Sequence, residues 1–403
     1  MRIRLLAAGM LAGLVASAAI GGDELEPRYI DCRLVEIPDF THTSHSGYTA
    51  LAVGLNGRVY IGTARYGGYS YLVEYDPVAD RMRAVVDTQK LTRERRDGLN
   101  SQGKTHTKLV VGSDGKIWCG TKHGHEDFKL RPEYGEDPQG YPGGHLYYYD
   151  PTTESATDLG ILVPQEGLMG GVIDRVRNRL YFYTCPKTHF IYYEIAANRL
   201  VDKGDCGTVA RYMAIDPDGQ VYVSGPDGMV RYDPESDRLE EIPLELEGDA
   251  QYDEPPYCVA LDPERRILYG LPRFTPHLQA YDLDLTDDGK MRMRYAARYL
   301  PEPLANAVVH VGILDDAGRL YYTTREKGPE EDFVHLMCYD PDRGDTRDLG
   351  VLRSSDRPEV CVGYIQGAAW GPDGTLYLTK IGKPYSLVII RPQVLRAALA
   401  ASR

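Results

Sequence analysis

A repeated strand–turn–strand pattern is the feature that most restricts how this 403-residue chain can fold. Each copy has an apolar strand, a tight turn and an alternating strand such as the one that begins at Arg58. Asn-Gly and Asp-Gly dipeptides are typical of two-residue hairpin turns, because these residues tolerate positive φ. The turns stand at Asn56-Gly57, Asp114-Gly115, Asp218-Gly219, Ala317-Gly318 and Asp373-Gly374, with degenerate copies at Arg177-Asn178 and Glu264-Arg265. The pattern predicts seven repeated units.

A second strand-end motif, Tyr-Asp usually followed by Pro, recurs in step with the turns. Its copies are Tyr75-Asp76, Tyr149-Asp150, Tyr232-Asp233, Tyr281-Asp282 and Tyr339-Asp340, with weaker versions at Tyr193-Glu194 and Ile390-Arg391. Seven four-stranded units at spacings of roughly 40 to 60 residues are typical of a propeller. We therefore predict an all-β fold, a seven-bladed β-propeller.

The two ends of the repeat array predict how the ring closes. The segment from Tyr29 to Pro38 reads as a strand that precedes the first complete unit, whereas the seventh unit ends at Pro392 without a fourth strand. The early strand is expected to supply it, which would remove an exposed sheet edge. We expect one propeller domain over residues 28–395 and a short helix-like C-terminal tail over residues 396–403.

Residues 1–22 have the pattern of a secretory signal peptide. A basic start is followed by an apolar run from Leu5 to Val15 and by Ala16-Ser17-Ala18, which matches an A-x-A cleavage site. The alternative is a membrane anchor, but the apolar run ends near Ile20, short of the roughly 20 residues that a spanning helix needs. We expect a secreted or periplasmic protein with no membrane span.

Charge and cysteine content limit the partners and the redox state. The formal net charge of −13 argues against nucleic acid, because phosphate binding needs a basic surface. Seven cysteines are scattered without zinc-binding spacing. Export would permit the disulfides Cys185–Cys206 or Cys32–Cys361, and unpaired buried cysteines are the alternative.

The histidines indicate which end of the propeller carries a site. All ten fall on or beside the rim opposite the Asp-Gly turns. The residues that open the inner strands are expected to converge on the axis: Tyr48, His106, Met169, Arg211, Tyr257, His310 and Gln366. Loops of the same rim are basic, which favours an anionic ligand such as an acidic polysaccharide or oligosaccharide. The predicted substrate-binding residues are His45, Tyr48, Lys122, His123, His189, Arg273, His310 and Gln366.

The second unit is the densest part of this rim, and two chemistries compete for it. His123-Gly-His125 with His106 or His145 could coordinate Zn²⁺ or Mn²⁺. Alternatively, β-elimination of a uronic acid needs a cation on the carboxylate, a base and an acid, and requires no cofactor. In that mechanism Arg211 binds the carboxylate, while His106, His125 and Tyr257 supply proton transfer.

His106, His125, Arg211 and Tyr257 also carry a resemblance to known enzymes. A histidine that opens the second blade, another about twenty residues later, an arginine that opens the fourth and a tyrosine that opens the fifth resemble the ulvan lyases and related propeller-type uronate lyases. The resemblance implies a secreted polysaccharide lyase with these four catalytic residues. It also implies a third-blade tyrosine, and both Tyr183 and Tyr192 stand near that position.

Other functions stay open at this stage. Oligogalacturonate lyases, also propellers, bind a metal through a late cluster that His310 and Gln366 match in part. A non-catalytic propeller that binds glycan or protein is the main alternative to the lyase. A metal-dependent hydrolase or lactonase is a third, although its channel would need acidic ligands where this chain has His, Arg, Tyr and Gln.

Overall fold

The computed structural model describes residues 28–43, 45–95, 100–124, 140–208, 211–300, 308–327, 332–360 and 362–402. The signal-peptide pattern of residues 1–22 and the predicted catalytic His125 lie outside them. The protein is all-β, with 53% strand and 6% helix. This confirms the predicted fold class at the level of an all-β protein with curled sheets.

The described strands of the N-terminal half, apart from the first, pair with one another in antiparallel runs. They are β1 (Tyr29–Glu36), β2 (His45–Val53), β3 (Val59–Ala64), β4 (Tyr71–Asp76), β5 (Arg81–Asp87), β6 (Lys104–Thr105), β7 (Val110–Val111), β8 (Ile117–Lys122), β9 (His145–Asp150), β10 (Ser155–Ile161), β11 (Gly167–Asp174), β12 (Arg179–Cys185), β13 (His189–Glu194) and β14 (Arg199–Asp205). A short 3-10 helix (Asp39–Thr41) follows β1, and α1 (Thr88–Thr92) follows β5. β6 pairs with both β3 and β8, and so joins two runs.

The C-terminal half continues the same pattern. Its strands are β15 (Ala214–Ile215), β16 (Val221–Ser224), β17 (Met229–Asp233), β18 (Arg238–Ile242), β19 (Leu244–Leu246), β20 (Cys258–Asp262), β21 (Ile267–Leu271), β22 (His277–Asp282), β23 (Met291–Arg298), β24 (Val308–Leu314), β25 (Leu320–Lys327), β26 (Asp332–Asp340), β27 (Asp345–Ser354), β28 (Tyr364–Trp370), β29 (Leu376–Ile381) and β30 (Ser386–Ile390). The chain continues into α2 (Pro392–Ala401), so the predicted C-terminal helix is present.

The early strand lies where the sequence predicts it. Residues Arg33 to Glu36 of β1 pair antiparallel with β30, and residues Tyr29 to Cys32 pair parallel with β27. β1 is therefore the fourth strand beside β28, β29 and β30. It also joins the last two runs into one eight-stranded sheet.

Contacts between the innermost strands follow a cyclic order. β2 contacts β7, β7 and β8 contact β11, β11 contacts β15, and β15 contacts β20. β20 contacts β24, β24 contacts β28, and β28 contacts β2. The segments that open these strands therefore gather side chains from the whole chain into one region.

The hairpin turns have the backbone conformation that the sequence predicts. Gly57 has a φ of +75° and no atom near the position of a Cβ, so backbone conformation alone favours glycine there. At a degenerate copy Asn178 takes φ +53°. At the other, the left-handed residue is Arg266 (φ +53°), one position after the predicted dipeptide.

The Tyr-Asp motif closes the next turn through side-chain hydrogen bonds. Oδ1 of Asp76 accepts from the backbone N–H groups of Val78 and Ala79, both at 3.0 Å, as in an Asx turn. The Tyr75 hydroxyl donates to Asp80 at 3.0 Å. The Tyr232 hydroxyl makes the equivalent bond to Asp237 at 2.7 Å, and a phenylalanine at either position could not make it.

The cysteines of the described residues are buried free thiols. Cys185 and Cys206 are both reduced, so the predicted Cys185–Cys206 disulfide is not formed in this structure. Cys32 is likewise a thiol, and Cys361 lies outside the described residues. Burial raises the pKa of the Cys206 thiol to about 11. Among the described residues no helix is long and apolar enough to cross a membrane.

Candidate functional site

The His106 imidazole is buried where the first and second runs meet. Its backbone N–H donates to the carbonyl of Gly120 at 3.1 Å, and its own carbonyl accepts from the Thr49 hydroxyl at 3.1 Å. The ring stacks on Tyr48, with centroids 4.6 Å apart and planes 22° apart. Only 2% of His106 is exposed, so its orientation is fixed by backbone and ring contacts together.

Cations surround this imidazole. Nη1 of Arg211 lies 3.4 Å from Nε2 of His106, and the guanidinium can only donate, so Nε2 accepts and Nδ1 carries the proton. Burial lowers the pKa of His106 well below its usual value, and the charges of Lys122, Arg211 and Lys104 lower it further. His106 is therefore neutral at neutral pH, with its lone pair directed at Arg211.

Two tyrosines hold one of these cations beside the site. Nζ of Lys104 lies 4.4 Å from the ring centroid of Tyr66 and 5.7 Å from that of Tyr48. The two hydroxyls are hydrogen-bonded to each other. The rings stabilise the ammonium by cation–π attraction. Tyr48 thus contacts both the predicted base and its neighbouring cation.

Tyr257 lies beside Arg211, because the Arg211 N–H donates to the Tyr257 carbonyl at 3.0 Å. The Tyr257 hydroxyl accepts from Nε2 of Gln366 at 2.9 Å, and the same nitrogen lies 2.7 Å from the Tyr364 hydroxyl. Since the Tyr257 oxygen accepts, its own proton is free to be donated elsewhere. The Arg273 guanidinium carbon lies 5.2 Å from the Tyr257 ring centroid.

A second buried histidine continues the site. The His310 ring lies 4.1 Å from Tyr364 and 6.1 Å from Tyr257, centroid to centroid. Burial, followed by the charges of Arg273 and Arg325, lowers its pKa to about 2. His310 is 1% exposed, and neither ring nitrogen has a hydrogen-bond partner among the described residues.

The structure distinguishes the two third-unit tyrosines. Tyr183 is buried opposite Met169 in the β11–β12 pair and lies close enough to Arg211 for the two to interact electrostatically. Burial raises the pKa of the Tyr183 phenol. Tyr192 instead packs on Tyr181 and Tyr232, and the Arg179 guanidinium lies over its ring. Tyr183 is therefore the tyrosine that faces the predicted site.

His145, a predicted metal ligand, lies in a different environment. Its Nδ1 is 2.9 Å from Asp158 and its Nε2 is 3.0 Å from Glu94. Although burial alone would lower it, these two carboxylates raise the pKa of His145 to about 9. Both nitrogens are already engaged, so a metal at His145 would have to displace a carboxylate.

The same pairing recurs in other runs. His189, a predicted substrate-binding residue, bonds Asp202 at 2.8 Å, and His335 bonds Asp348 at 2.8 Å. Each aspartate begins an Asp-x-Gly bulge, and its Oδ1 accepts the glycine N–H: Asp158 from Gly160, Asp202 from Gly204 and Asp348 from Gly350. We call the three pairs His145–Asp158, His189–Asp202 and His335–Asp348 the outer pairs. Their regular spacing indicates a structural role.

The remaining predicted residues are only partly placed. Lys122 is buried and acts on the His106 pKa, whereas the buried His123 ring meets Tyr141 edge-on at 5.5 Å. His45 begins β2, but its side chain is outside the description, as is all of His125. In the described part of the chain no group of three or more His, Cys, Asp or Glu residues could hold a metal.

Sequence reasoning missed Arg325 and Tyr364. Arg325 stands seven residues after the turn glycine Gly318, as Lys122 does after Gly115, and both act on a buried histidine. Counting from the turn glycine of each unit would therefore have identified Arg325 as the equivalent of Lys122. Tyr364 begins β28 two positions before Gln366, and its contact with His310 depends on how neighbouring runs pack.

A cavity outside this region lies at the opposite, turn-bearing end. It has a volume of about 710 Å³ and is lined by turns that include Gly54, Asp315 and Gly371, together with Trp370 and α2. Asp315 already accepts hydrogen bonds from Ala317 and Arg319 of its own turn. The convergent ionisable groups are therefore at the histidine-bearing end, and we place the candidate site there.

Comparisons with known proteins show a similarity of fold and assign no family or function. No family model matches the chain, and no curated protein matches it. The WD40 repeats of RRP9 superpose with a TM-score of 0.60 at 12% identity, over 91% of this chain and 98% of that one. A chain of the mitotic checkpoint complex gives 0.56 at 13% identity, over 97% of this chain and 99% of the other.

Another structural neighbour is the extracellular domain of a protein named as a one-component system from B. thetaiotaomicron. Its TM-score is 0.55 at 15% identity, and the match covers 90% of this chain but only 40% of the neighbour. This chain thus spans well under half of that neighbour. At such identities the similarity shows a propeller-like fold alone.

Proposed function

We propose that this protein is a seven-bladed β-propeller lyase that cleaves uronic-acid-containing glycans by β-elimination. The observation that carries the proposal is a neutral, cation-surrounded His106 beside Arg211, with the free-donor phenol of Tyr257 on the next inner strand. Such a set offers a base, a carboxylate binder and an acid. The signal-peptide pattern of residues 1–22 supports a secreted or periplasmic location.

The closed ring in this proposal rests on strand contacts. Seven antiparallel runs occur within the described residues, and their inner strands contact one another in cyclic order. β1 covers the outer edge of β30. A ring built in this way leaves few exposed edges and gathers the openings of all inner strands around one axis.

Substrate binding would release the base. A uronate carboxylate accepts two hydrogen bonds from the Arg211 guanidinium and draws it away from Nε2 of His106. The lone pair of Nε2 then becomes available to the substrate. At the same time the negative charge of the carboxylate offsets the cations that lower the His106 pKa, so the imidazole becomes a better base in the complex.

The elimination balances with these residues alone. Nε2 of His106 removes the C5 proton, and the C5–H electron pair forms the C4=C5 double bond. The C4–O bond breaks, and the leaving oxygen takes the Tyr257 proton. Gln366 donates to the phenolate that results, and the Arg273 guanidinium lies near its ring. Arg211 and Lys122 stabilise the negative charge that develops on the carboxylate.

The direct test is an ultraviolet absorbance assay for the unsaturated uronate product, run on a panel of uronic-acid polysaccharides. We expect turnover on at least one, and a loss of roughly 100-fold or more in kcat/KM for Arg211→Ala. The control is Arg353→Ala, because Arg353 lies on β27, where its guanidinium carbon is 4.3 Å from the centroid of the Tyr29 ring. Normal activity of Arg211→Ala with an unchanged melting temperature would contradict the assignment.

A non-catalytic glycan-binding propeller is the second candidate, and one observation favours it. Arg211 occupies the lone pair of His106 that a base would need. If the carboxylate did not displace this bond, the site would bind an anionic sugar without cleaving it. Saturable binding of an oligouronate without unsaturated product on any polysaccharide would support this function and exclude the lyase.

A further inference from the structure

We infer that the site has a second anion-binding subsite, formed by Arg273, Phe274, His310, Arg325 and Tyr364, which holds a charged group on the sugar next to the uronate. This inference rests on the proposed glycan-binding function and specifies its substrate as a glycan with anionic groups on adjacent sugars. The anionic group is an oxyacid, either a carboxylate or a sulfate ester.

Two arginines converge on one buried imidazole here. The charges of Arg273 and Arg325 both act on His310, and the Arg325 guanidinium carbon lies 4.9 Å from the Tyr364 ring centroid. Nε of Arg325 is 3.6 Å from Asp332, a carboxylate that is 37% exposed. Arg273 forms no ion pair with a carboxylate of the described residues. Of the five side chains that form the subsite two are cationic and none is a carboxylate, so an oxyanion between the arginines would be attracted there.

His310 adds a donor or acceptor that the fold does not use. Its ring is 1% exposed, yet both nitrogens lack hydrogen-bond partners among the described residues. Leaving a buried polar group without a hydrogen-bond partner is energetically unfavourable. A ligand oxyanion between the two arginines would accept from the imidazole N–H. The unpaired ring is thus independent support for a ligand at this position.

The loop that carries Arg273 is held in place by hydrogen bonds to Glu254. The Glu254 carboxylate accepts from the backbone N–H groups of Arg273 at 2.9 Å, Phe274 at 3.0 Å and Thr275 at 3.0 Å. Nε2 of Gln279 donates to the Glu254 carbonyl at 3.1 Å. Arg273 is therefore positioned before any ligand arrives, which lowers the entropic cost of binding.

Phe274 extends the subsite with an apolar surface. It is 66% exposed, and the Arg273 guanidinium carbon lies 5.2 Å from its ring centroid. Six phenylalanines occur in the whole chain, and one exposed beside a cationic cluster is suited to pack against a sugar ring. We place the neighbouring sugar on Phe274, with its charged group between Arg273 and Arg325.

Adjacency to the first subsite follows from shared side chains. Tyr257 lies beside Arg211 through the backbone bond and beside Arg273 through its ring. Gln366 bridges Tyr257 and Tyr364, and Arg211, Arg273 and Arg325 all affect the Tyr364 pKa, which burial raises to about 12. The two cation groups therefore share contacting side chains, and we place neighbouring sugars of one chain on them.

The test is a calorimetric titration with uronyl disaccharides whose uronate has a free 4-hydroxyl, so that elimination has no glycosidic bond to break there. The second sugar is neutral, carboxylated or sulfated. We expect wild-type protein to bind a charged form at least about tenfold more tightly than the neutral form. Arg273→Gln and Arg325→Gln should each remove most of that difference, while affinity for the neutral form stays within about twofold.

The controls separate this inference from the lyase proposal. Arg353→Gln should retain the full preference, and Phe274→Ala should weaken all disaccharides without weakening free uronate. Equal affinity for the neutral and charged forms, or an unchanged preference in both arginine variants, would overturn the subsite. Preference without any unsaturated product from polysaccharide would leave the subsite standing and refute the lyase, because the titration does not depend on turnover.

Discussion

Two groups of histidines in this protein have opposite electrostatic surroundings. The axial pair, His106 and His310, is buried among lysines and arginines, and the pKa of each ring lies far below its usual value. In the outer pairs His145 and His335 bond aspartates, and their pKa values are raised despite burial. The difference shows that a histidine on the predicted rim is not by itself a functional residue, since its partners decide its protonation.

The comparison has a simple physical origin. In each outer pair a histidine of the third strand bonds the aspartate of the Asp-x-Gly bulge on the fourth strand of the same run, and His145 also bonds Glu94, which follows α1. At the axis the partners come from different runs, as when Arg211 meets His106. The outer imidazoles thus lie beside carboxylates, whereas the axial imidazoles lie beside cations.

The largest effect is expected for a change at the axis. His106→Gln should reduce kcat/KM by roughly 100- to 10,000-fold, because it removes the proposed base. His335→Gln should leave kcat/KM within about twofold, since its partner is the structural Asp348. Steady-state rates of unsaturated product formation measure both. Equal losses in the two variants would show that the axial and outer histidines do not differ in function.

The next effect is on stability and concerns the outer pairs. His145→Gln leaves Asp158 and Glu94 without their cation, so we expect the free energy of unfolding to fall by about 3 kcal/mol. Urea denaturation measures it. His277→Gln is the control, because His277 also starts a third strand but stacks on Tyr295, at 4.2 Å. A loss for His145→Gln no larger than for the control would show that the carboxylate pairing contributes nothing.

The two groups of histidines should affect the pH dependence of stability in opposite directions. The His145 pKa is about 9 in the folded protein and 6.5 in the reference state, so its contribution is complete below 6.5 and is lost as the pH rises through about 9. The His310 pKa is lowered to about 2, so protonation favours the unfolded chain and stability falls as the pH drops below 6.5. Urea midpoints of wild-type protein from acid to alkaline pH should pass through a maximum. The account of His145 would be contradicted if the urea midpoint of the wild type did not fall at alkaline pH. It would also be contradicted if the His145→Gln variant showed the same alkaline fall as the wild type.

The smallest effect on stability is expected for substitution of the glycine in the Asp-x-Gly bulges that position the aspartates of the outer pairs. Gly160 has φ +84° and no atom near the position of a Cβ, so Gly160→Ala should cost about 1 kcal/mol through backbone strain alone. Gly350→Ala should cost more, because its Cβ would meet the Arg28 carbonyl oxygen at 2.6 Å. Thermal unfolding of the two variants checks the order, and the reverse order would show that packing at Arg28 adjusts freely.

Local sequence patterns were sufficient for much of the fold. The turn at Gly57, the strand end at Tyr75-Asp76 and the pairing of β1 with β30 all follow from short-range chemistry or from the need to cover an edge. The axial positions of His106 and Arg211 also follow, because they are counted from the turns. The repeat register therefore predicts which residues open the inner strands.

The surroundings of each side chain were harder to predict. His145 looked like a metal ligand, but its partners Asp158 and Glu94 reach it through a bulge and a loop whose geometry the repeat does not specify. Arg325 and Tyr364 were missed because their meeting at His310 depends on packing between runs. Sequence spacing gives positions along strands, whereas charge balance depends on contacts between them.

The most direct test of the central claim, that cations lower the pKa of the axial imidazoles while carboxylates raise the pKa of His145, is an NMR titration of histidines labelled with ¹³C. Resonances assigned from His106→Gln and His145→Gln follow each ring in the wild-type protein. We predict no midpoint at or above 6.5 for His106, and a midpoint near 9 for His145. A His106 midpoint at or above 6.5, or midpoints that coincide for the two rings, would contradict the account.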